Sequence, residues 1–166
     1  MSAGSDGNAA AELALVYACS GCSSVAQLAN ICAVRLDREG KAEMSCISGV
    51  GGGVLPLVRL ARSGRPILAL DGCALACVSA CLQNAGVIPD AHLVLNREGA
   101  KKRFHADASA LEEEQVWLQV LAKIAGMRPS SRAAAETEAY SDINSGSGSG
   151  SDSDAQQLSS LRKSLP

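Results

Sequence analysis

The stretch RPILALDGCALAC, Arg65–Cys77, is the part of the chain that best predicts the fold. Its apolar run Pro66–Leu70 is typical of a β-strand that is covered on both faces. A helix predicted over Ala74–Ala85 follows after a short turn and ends at Gly86. A strand that passes directly into a helix is the repeating unit of a parallel α/β sheet.

The same alternation continues on both sides of this unit. The predicted strands are Leu13–Ala18, Lys41–Cys46, Pro66–Leu70 and His92–Leu95, and the other predicted helices follow Ser23 or Ser24, begin near Pro56 after a Gly-rich turn, and open at a capping box of Ser109 and Glu112. Alternating strands and helices predict βαβ units, and right-handed crossovers favour the strand order 2-1-3-4. We therefore predict an α/β fold: a doubly wound, mainly parallel sheet of about four strands, flavodoxin-like or Rossmann-like.

The chain is predicted to contain one globular domain with a disordered segment at each end. The domain covers residues 13–126, and residues 1–12 are small and polar. Residues 127–166 are rich in Ser, Gly and Asp and include the repeat Ser145–Ser151. Such a composition buries too little apolar surface to become ordered, so we expect a disordered C-terminal tail.

Composition and charge exclude several classes of function. A formal net charge of −2 and only four aromatic residues predict no nucleic-acid binding. No apolar run approaches the ~20 residues of a membrane-spanning helix, so no membrane association is expected. The N-terminus lacks the pattern of a signal peptide, which predicts a cytoplasmic, reducing location. There, the seven cysteines are more typical of metal ligands or reactive thiols than of disulfides.

Cysteines follow three of the four predicted strands. Strand one is followed by Cys19 and Cys22, strand two ends in Cys46, and strand three is followed by Cys73 and Cys77. In a parallel sheet these turns meet at the edge where ligands bind. We therefore predict a metal site made from these five thiols, with Zn²⁺ as the leading candidate and an iron–sulfur cluster as the alternative.

The other two cysteines fit a structural role better. Cys32 lies on the apolar face of its predicted helix, and Cys81 lies between two faces. Cys77 is well off the apolar stripe of its helix, on the side shared with Cys73. The pattern therefore separates the thiols of the predicted site from those that fill the core.

Several blocks of the sequence also resemble a known family, the DGC domain. The blocks are DGCALAC (Asp71–Cys77) with ACLQNAG (Ala80–Gly86), CSGCSSVAQLAN (Cys19–Asn30), EMSCISGVGG (Glu43–Gly52) and EGAKKRFHAD (Glu98–Asp107). The resemblance implies zinc binding and puts forward Cys19, Cys46, Cys73 and Cys77 as the first four ligands, with Cys22 as an extra thiol. It implies a ligand and no particular reaction.

Other residues near the predicted site have two interpretations each. Asp71 either orients a ligand or accepts amide hydrogen bonds in the turn. The glycines of residues 49–53 lack the Lys-Ser/Thr of a P-loop and are expected to let backbone approach the sulfur atoms. His105 is a weaker candidate ligand, and the basic turn Lys101–Arg103 is expected to be solvated.

The sequence leaves the biochemical activity open. Besides metal handling, the thiols suit a redox or sulfur-carrier enzyme in which Cys22 or Cys77 is a nucleophile of low pKa, acting on a small thiol or sulfur-containing ligand. A third possibility is an interaction module regulated through the tail. No Ser-His-Asp order, carboxylate pair or dinucleotide fingerprint supports a hydrolase or a dehydrogenase.

Overall fold

The structure, a computed structural model, describes residues 13–127. The predicted disordered segments, residues 1–12 and all but the first residue of 127–166, lie outside the described residues. In chain order the elements are β1 (Leu15–Ala18), α1 (Ser24–Arg38), β2 (Glu43–Met44), α2 (Ile47–Gly51), α3 (Leu55–Ala61), β3 (Ile67–Asp71), α4 (Cys77–Asn84), β4 (Ala91–Val94), a 3-10 turn (Leu95–Arg97) and α5 (Ala110–Ala125).

The four strands form one sheet in the order β2-β1-β3-β4. Every pair of neighbours is parallel, with Leu15 of β1 opposite both Glu43 of β2 and Ile67 of β3. The predicted fold class and strand order are therefore confirmed, and so is the position of β2 at the edge of the sheet. All four strands run the same way, so their carboxyl ends lie along one side, which we call the carboxyl edge.

Helices cover both faces of the sheet. On one face Val16 and Leu70 pack in a core with Leu28 of α1 and Trp117 of α5. On the other face the alternate residues pack against the second group of helices, with Leu15, Ile67 and Ala69 beside Val50 of α2 and Val78 and Leu82 of α4. Each of these Val and Leu side chains contributes about 1.5–3 kcal/mol by its burial. The carboxyl edge is thereby held between two packed layers.

The helix starts follow partly from the sequence and partly from contacts between distant residues. The capping box of α5 forms as predicted: the Ser109 hydroxyl accepts from the Glu112 N–H, and the Glu112 carboxylate accepts from the Ser109 N–H. Ser23 is the N-cap of α1 without a side-chain cap, and the Ser24 hydroxyl bonds outside the helix. Among the described residues, no helix has both the length and the apolar character that crossing a membrane requires.

Three predicted elements near the carboxyl edge are wrong in their bounds. Helix α4 begins at Cys77 and not at Ala74, because Ala76 has a φ of 51° and Cys73–Ala76 forms a turn. The Gly-rich turn contains the short helix α2, whose Gly51 lies close to Cys81. Strand β4 starts and ends one residue earlier than predicted, since Leu95 begins the 3-10 turn.

Candidate thiolate site at the carboxyl edge

The five cysteines of the predicted site all lie where chain segments leave the carboxyl edge. Cys19 directly follows β1, Cys46 is the N-cap of α2 after β2, Cys73 is in the turn after β3, Cys77 is the first residue of α4, and Cys22 is just ahead of α1. Because β1 lies between β2 and β3, the three turns are neighbours. The sheet thus brings residues that are far apart in sequence to a common edge, as the strand order predicts.

Asp71, the last residue of β3, fixes the start of helix α4. Its carboxylate is buried and accepts hydrogen bonds from the N–H groups of Val78 at 2.9 Å and Ser79 at 3.2 Å. Both N–H groups belong to the first turn of α4. The N-cap residue, Ala76, has no side-chain oxygen that could accept from them. His92 of β4 supplies a third contact, with its Nε2 at 2.9 Å from the same carboxylate. Of the two interpretations of Asp71, amide binding is therefore the observed one.

Gly72 is placed where no other residue fits. A Cβ atom at this position would lie 2.6 Å from the Val25 carbonyl carbon and oxygen and 2.8 Å from the Ala26 nitrogen, in the first turn of α1. The Gly72 N–H also donates to the Cys19 sulfur, with 3.0 Å between nitrogen and sulfur. The Asp-Gly-Cys tripeptide therefore joins α4, α1 and two of the thiols in one short segment.

Cys19 lies close enough to two other thiols to respond to their charge. Burial raises the pKa of the Cys19 thiol, and the Gly72 N–H opposes that rise by stabilising the thiolate. Negative charge on Asp71, Cys77 and Cys73 raises the pKa further. Cys19, Cys73 and Cys77 therefore form the group of thiols that the structure brings together most clearly.

The remaining candidate thiols are more open to solvent. Cys22, Cys46 and Cys77 are exposed, whereas Cys19 and Cys73 are half-buried. Within residues 13–127 no three His, Cys, Asp or Glu side chains are arranged so that they could hold a metal ion. The edge therefore gathers the sulfur atoms without closing them around one point, and the prediction that all five form a site stays a prediction.

Two further cysteines are in different surroundings. Cys32 of α1 is buried in the core, and this burial raises the pKa of its thiol to about 11. Cys81 of α4 contacts helix α2, where a Cβ at Gly51 would lie 2.8 Å from its sulfur. The glycine backbone thus approaches the sulfur of Cys81, which lies outside the predicted site, and this approach brings α2 against α4. Neither Cys32 nor Cys81 lies in a turn that leaves the carboxyl edge.

Two histidines and one lysine near the edge have different surroundings. His105 is exposed with a φ of 58°, and His92 is held by Asp71. Lys102 is exposed, in agreement with the predicted solvated turn, and its Nζ lies 3.4 Å from the Cys73 sulfur. One feature of the sequence pointed to this region: Lys102 lies in the block EGAKKRFHAD, which resembles the DGC domain family. Spacing alone could not reveal it, because the two residues are 29 positions apart.

The fold and the edge define a class of protein: a doubly wound α/β domain that presents free thiols at the carboxyl edge of a parallel sheet. The family model described as DGC domain matches residues 15–120, and the chain belongs to this family. The predicted resemblance is therefore confirmed.

One similar relative is the "Anaerobic and virulence modulator AnvM" of Pseudomonas aeruginosa. It is 60% identical to this chain over 108 residues, which are 65% of this chain and 82% of the relative. No solved structure matches the chain.

Proposed function

We propose that the carboxyl edge binds a metal ion through cysteine thiolates, with one Zn²⁺ as the leading candidate. The donor set supports this proposal, since the turns offer sulfur ligands and Zn²⁺ accepts four of them in a tetrahedron. The observation that most supports metal binding is the arrangement of the Asp-Gly-Cys segment. Asp71 fixes the helix that begins at Cys77, and the Gly72 N–H donates to the Cys19 sulfur.

Hydrogen bonds from N–H groups help to orient a sulfur atom that binds a metal. Cys19 receives such a bond from the backbone, and Cys73 receives one from Lys102. On these grounds Cys19, Cys73 and Cys77 are the first ligands in the proposal. Cys46 and Cys22, on the neighbouring turns, are the candidates for the fourth position.

The exposure of the thiols favours metal handling over a purely structural role. A structural zinc site contributes directly to the folding energy of its domain. Here Cys22, Cys46 and Cys77 are exposed, so a bound ion would remain open to exchange. The core on both sheet faces also supplies its own stability, since each face carries a packed layer of buried Leu and Val side chains.

Reducing conditions suit this proposal, because exposed thiolates are oxidised in air. The Pseudomonas aeruginosa relative is named an anaerobic and virulence modulator. We extend that name to this chain only as a proposal: its thiols act while they are reduced, as in cytoplasm without oxygen.

Metal analysis of the full chain, purified without oxygen, tests the proposed function. We expect close to one zinc per chain in the natural protein and loss of that zinc in Cys73→Ala and Cys77→Ala. Cys32→Ala is the matched control, because it removes a thiol from the core and should keep the zinc. Protein that contains no metal, or whose zinc survives both edge substitutions, would overturn the proposal.

A second candidate function is thiol chemistry at Cys77. Its thiol is exposed and lies at the first residue of α4, on the carboxyl edge. One cysteine should then react with a small disulfide far faster than the rest in metal-free protein. Equal rates at all exposed thiols would count against this function. Iron content with visible absorbance would instead indicate the iron–sulfur alternative.

A further inference from the structure

Lys102 places a positive charge directly against the candidate site. Its Nζ lies 3.4 Å from the Cys73 sulfur and 5.4 Å from the centre of the Phe104 ring. An ammonium group has three N–H donors and no acceptor, so its contact with sulfur is a donated hydrogen bond. The contact comes from a part of the chain that contains no cysteine.

The segment Lys101–Phe104, which we call the basic loop, is held firmly on the side of helix α1. The Ser24 hydroxyl donates to the Lys101 carbonyl at 2.9 Å and accepts from the Arg103 N–H at 3.0 Å. The Ser24 N–H donates to the Arg103 carbonyl at 2.9 Å, and Phe104 forms an isolated bridge with Ser23. The backbone on both sides of Lys102 is thus bonded to the first turn of α1.

Helix α5 holds the basic loop from the other side. The Glu112 carboxylate accepts from the Lys101 N–H at 2.9 Å and from the Arg103 guanidinium at 2.8 and 3.1 Å. Such bidentate pairs fix geometry as well as charge. Arg103 is therefore directed to Glu112, while the exposed side chain of Lys102 contacts the Cys73 sulfur.

The contact between Lys102 and Cys73 places a positive charge beside a site that would be negatively charged with metal bound. Four thiolates around Zn²⁺ leave a net negative charge, and the buried Asp71 carboxylate lies nearby. A cation beside one sulfur offsets part of that charge and orients the ligand. Partners of metal ligands commonly change the metal affinity about 10- to 100-fold when they are removed.

We infer that Lys102 is a positioning residue of the thiolate site, which the basic loop holds against Cys73 so that its ammonium group orients and stabilises this sulfur. The inference rests on the proposed function for its effect on metal binding. Its effect on Cys73 is independent of any metal.

Zinc affinity of the full chain, measured against a competing chelator without oxygen, is the first test. Lys102→Met should weaken zinc binding about 10-fold or more. Lys102→Arg keeps a cationic donor and should restore the affinity to within a few-fold. Lys101→Met is the control: it changes the net charge equally, but Lys101 holds the basic loop through its backbone alone. Equal losses in the two Met variants, or no loss in Lys102→Met, would overturn the inference.

A second test needs no metal and separates this inference from the proposed function. Iodoacetate is an anion, and iodoacetamide is a neutral reagent of similar size. Both react with the thiolate form of Cys73, so the ratio of the two rates does not depend on the fraction of Cys73 that is ionised. The Lys102 ammonium group, a few ångströms from the sulfur, attracts the anionic reagent and should raise the ratio of the iodoacetate rate to the iodoacetamide rate about fivefold. Lys102→Met should abolish this preference and Lys101→Met should keep it, with Cys73 followed by peptide mapping. An unchanged ratio in Lys102→Met overturns the inference even if zinc binds.

Discussion

The carboxyl edge of the sheet and the core beneath α1 both contain cysteine, yet the sulfur atoms are surrounded very differently. At the edge, Cys73 is half-buried beside a lysine and Cys77 is exposed at a helix start. In the core, Cys32 is 2% exposed among apolar side chains, and desolvation raises its thiol pKa to about 11. Chemistry therefore follows from the surroundings of a thiol, and cysteine count alone does not predict it.

The largest expected effect is a difference in reactivity between the two regions. With a pKa of about 11, Cys32 carries about one thiolate per thousand molecules at pH 8, and its sulfur is shielded as well. We expect Cys77 to react with iodoacetamide at least about 100 times faster than Cys32, as measured by mass spectrometry of peptides. In denaturant the difference should disappear; a Cys32 that reacts as fast in the native protein would break the comparison.

Removing the Asp71 carboxylate should disturb the edge most strongly. Asp71→Ala leaves the N–H groups of Val78 and Ser79 without their acceptor and His92 without its partner. The free energy of unfolding should fall by about 3 kcal/mol, measured in urea. Asp107→Ala, at an exposed position, is the control and should change it by less than about 0.5 kcal/mol. Equal stability of the two variants would show that Asp71 does not hold α4.

A methyl group at Gly72 should separate the edge from helix α1. The added Cβ would lie 2.6 Å from the Val25 backbone, so one segment must shift at a cost of about 2 kcal/mol. Gly21→Ala is the matched control at the same edge, because its Cβ would be 3.7 Å from the Ala26 Cβ, an ordinary contact. Urea unfolding of both variants gives the comparison, and a neutral Gly72→Ala would contradict the described packing.

The smallest effect is a pH dependence that comes from the anchor of the basic loop. Hydrogen bonds from Arg103, Ser109 and Lys101 hold the pKa of the Glu112 carboxyl well below its usual range. A lowered pKa in the folded state stabilises the protein above the ordinary Glu value of about 4.3, and this stabilisation is lost as pH falls further. Glu112→Gln should therefore be less stable than the natural protein at pH 7 and closer to it at pH 3.

Urea unfolding at the two pH values measures this effect. A deficit of Glu112→Gln that stays constant from pH 7 to pH 3 would show that the carboxylate charge does not contribute. Glu114→Gln, an exposed position on the same helix, provides a control with the same change of charge.

The architecture could be predicted because local patterns determine it. The apolar run in β3 predicts a strand covered on both faces, and the alternation with helices predicts parallel neighbours. Once the strand order was inferred, the turns with Cys19, Cys46 and Cys73 had to meet at one edge. The capping box of α5 is likewise a local signal, and it forms as predicted.

The details of the site depend on contacts between distant residues, which no local pattern records. The start of α4 is set by Asp71, seven positions before Val78. The contact between Lys102 and Cys73 crosses 29 positions. The glycine of the tripeptide is required by the first turn of α1, far away in sequence. Sequence patterns could therefore locate the thiols but could not show which groups hold them.

X-ray absorption at the zinc edge, on the full chain prepared and loaded without oxygen, tests the central claim most directly. Bound zinc should be surrounded by about four sulfur atoms at about 2.3 Å, the distance typical of thiolate ligands. The same spectrum should be found for Cys32→Ala, and the sulfur shell should be lost in Cys73→Ala. A shell made of nitrogen and oxygen alone in the natural protein would contradict the account.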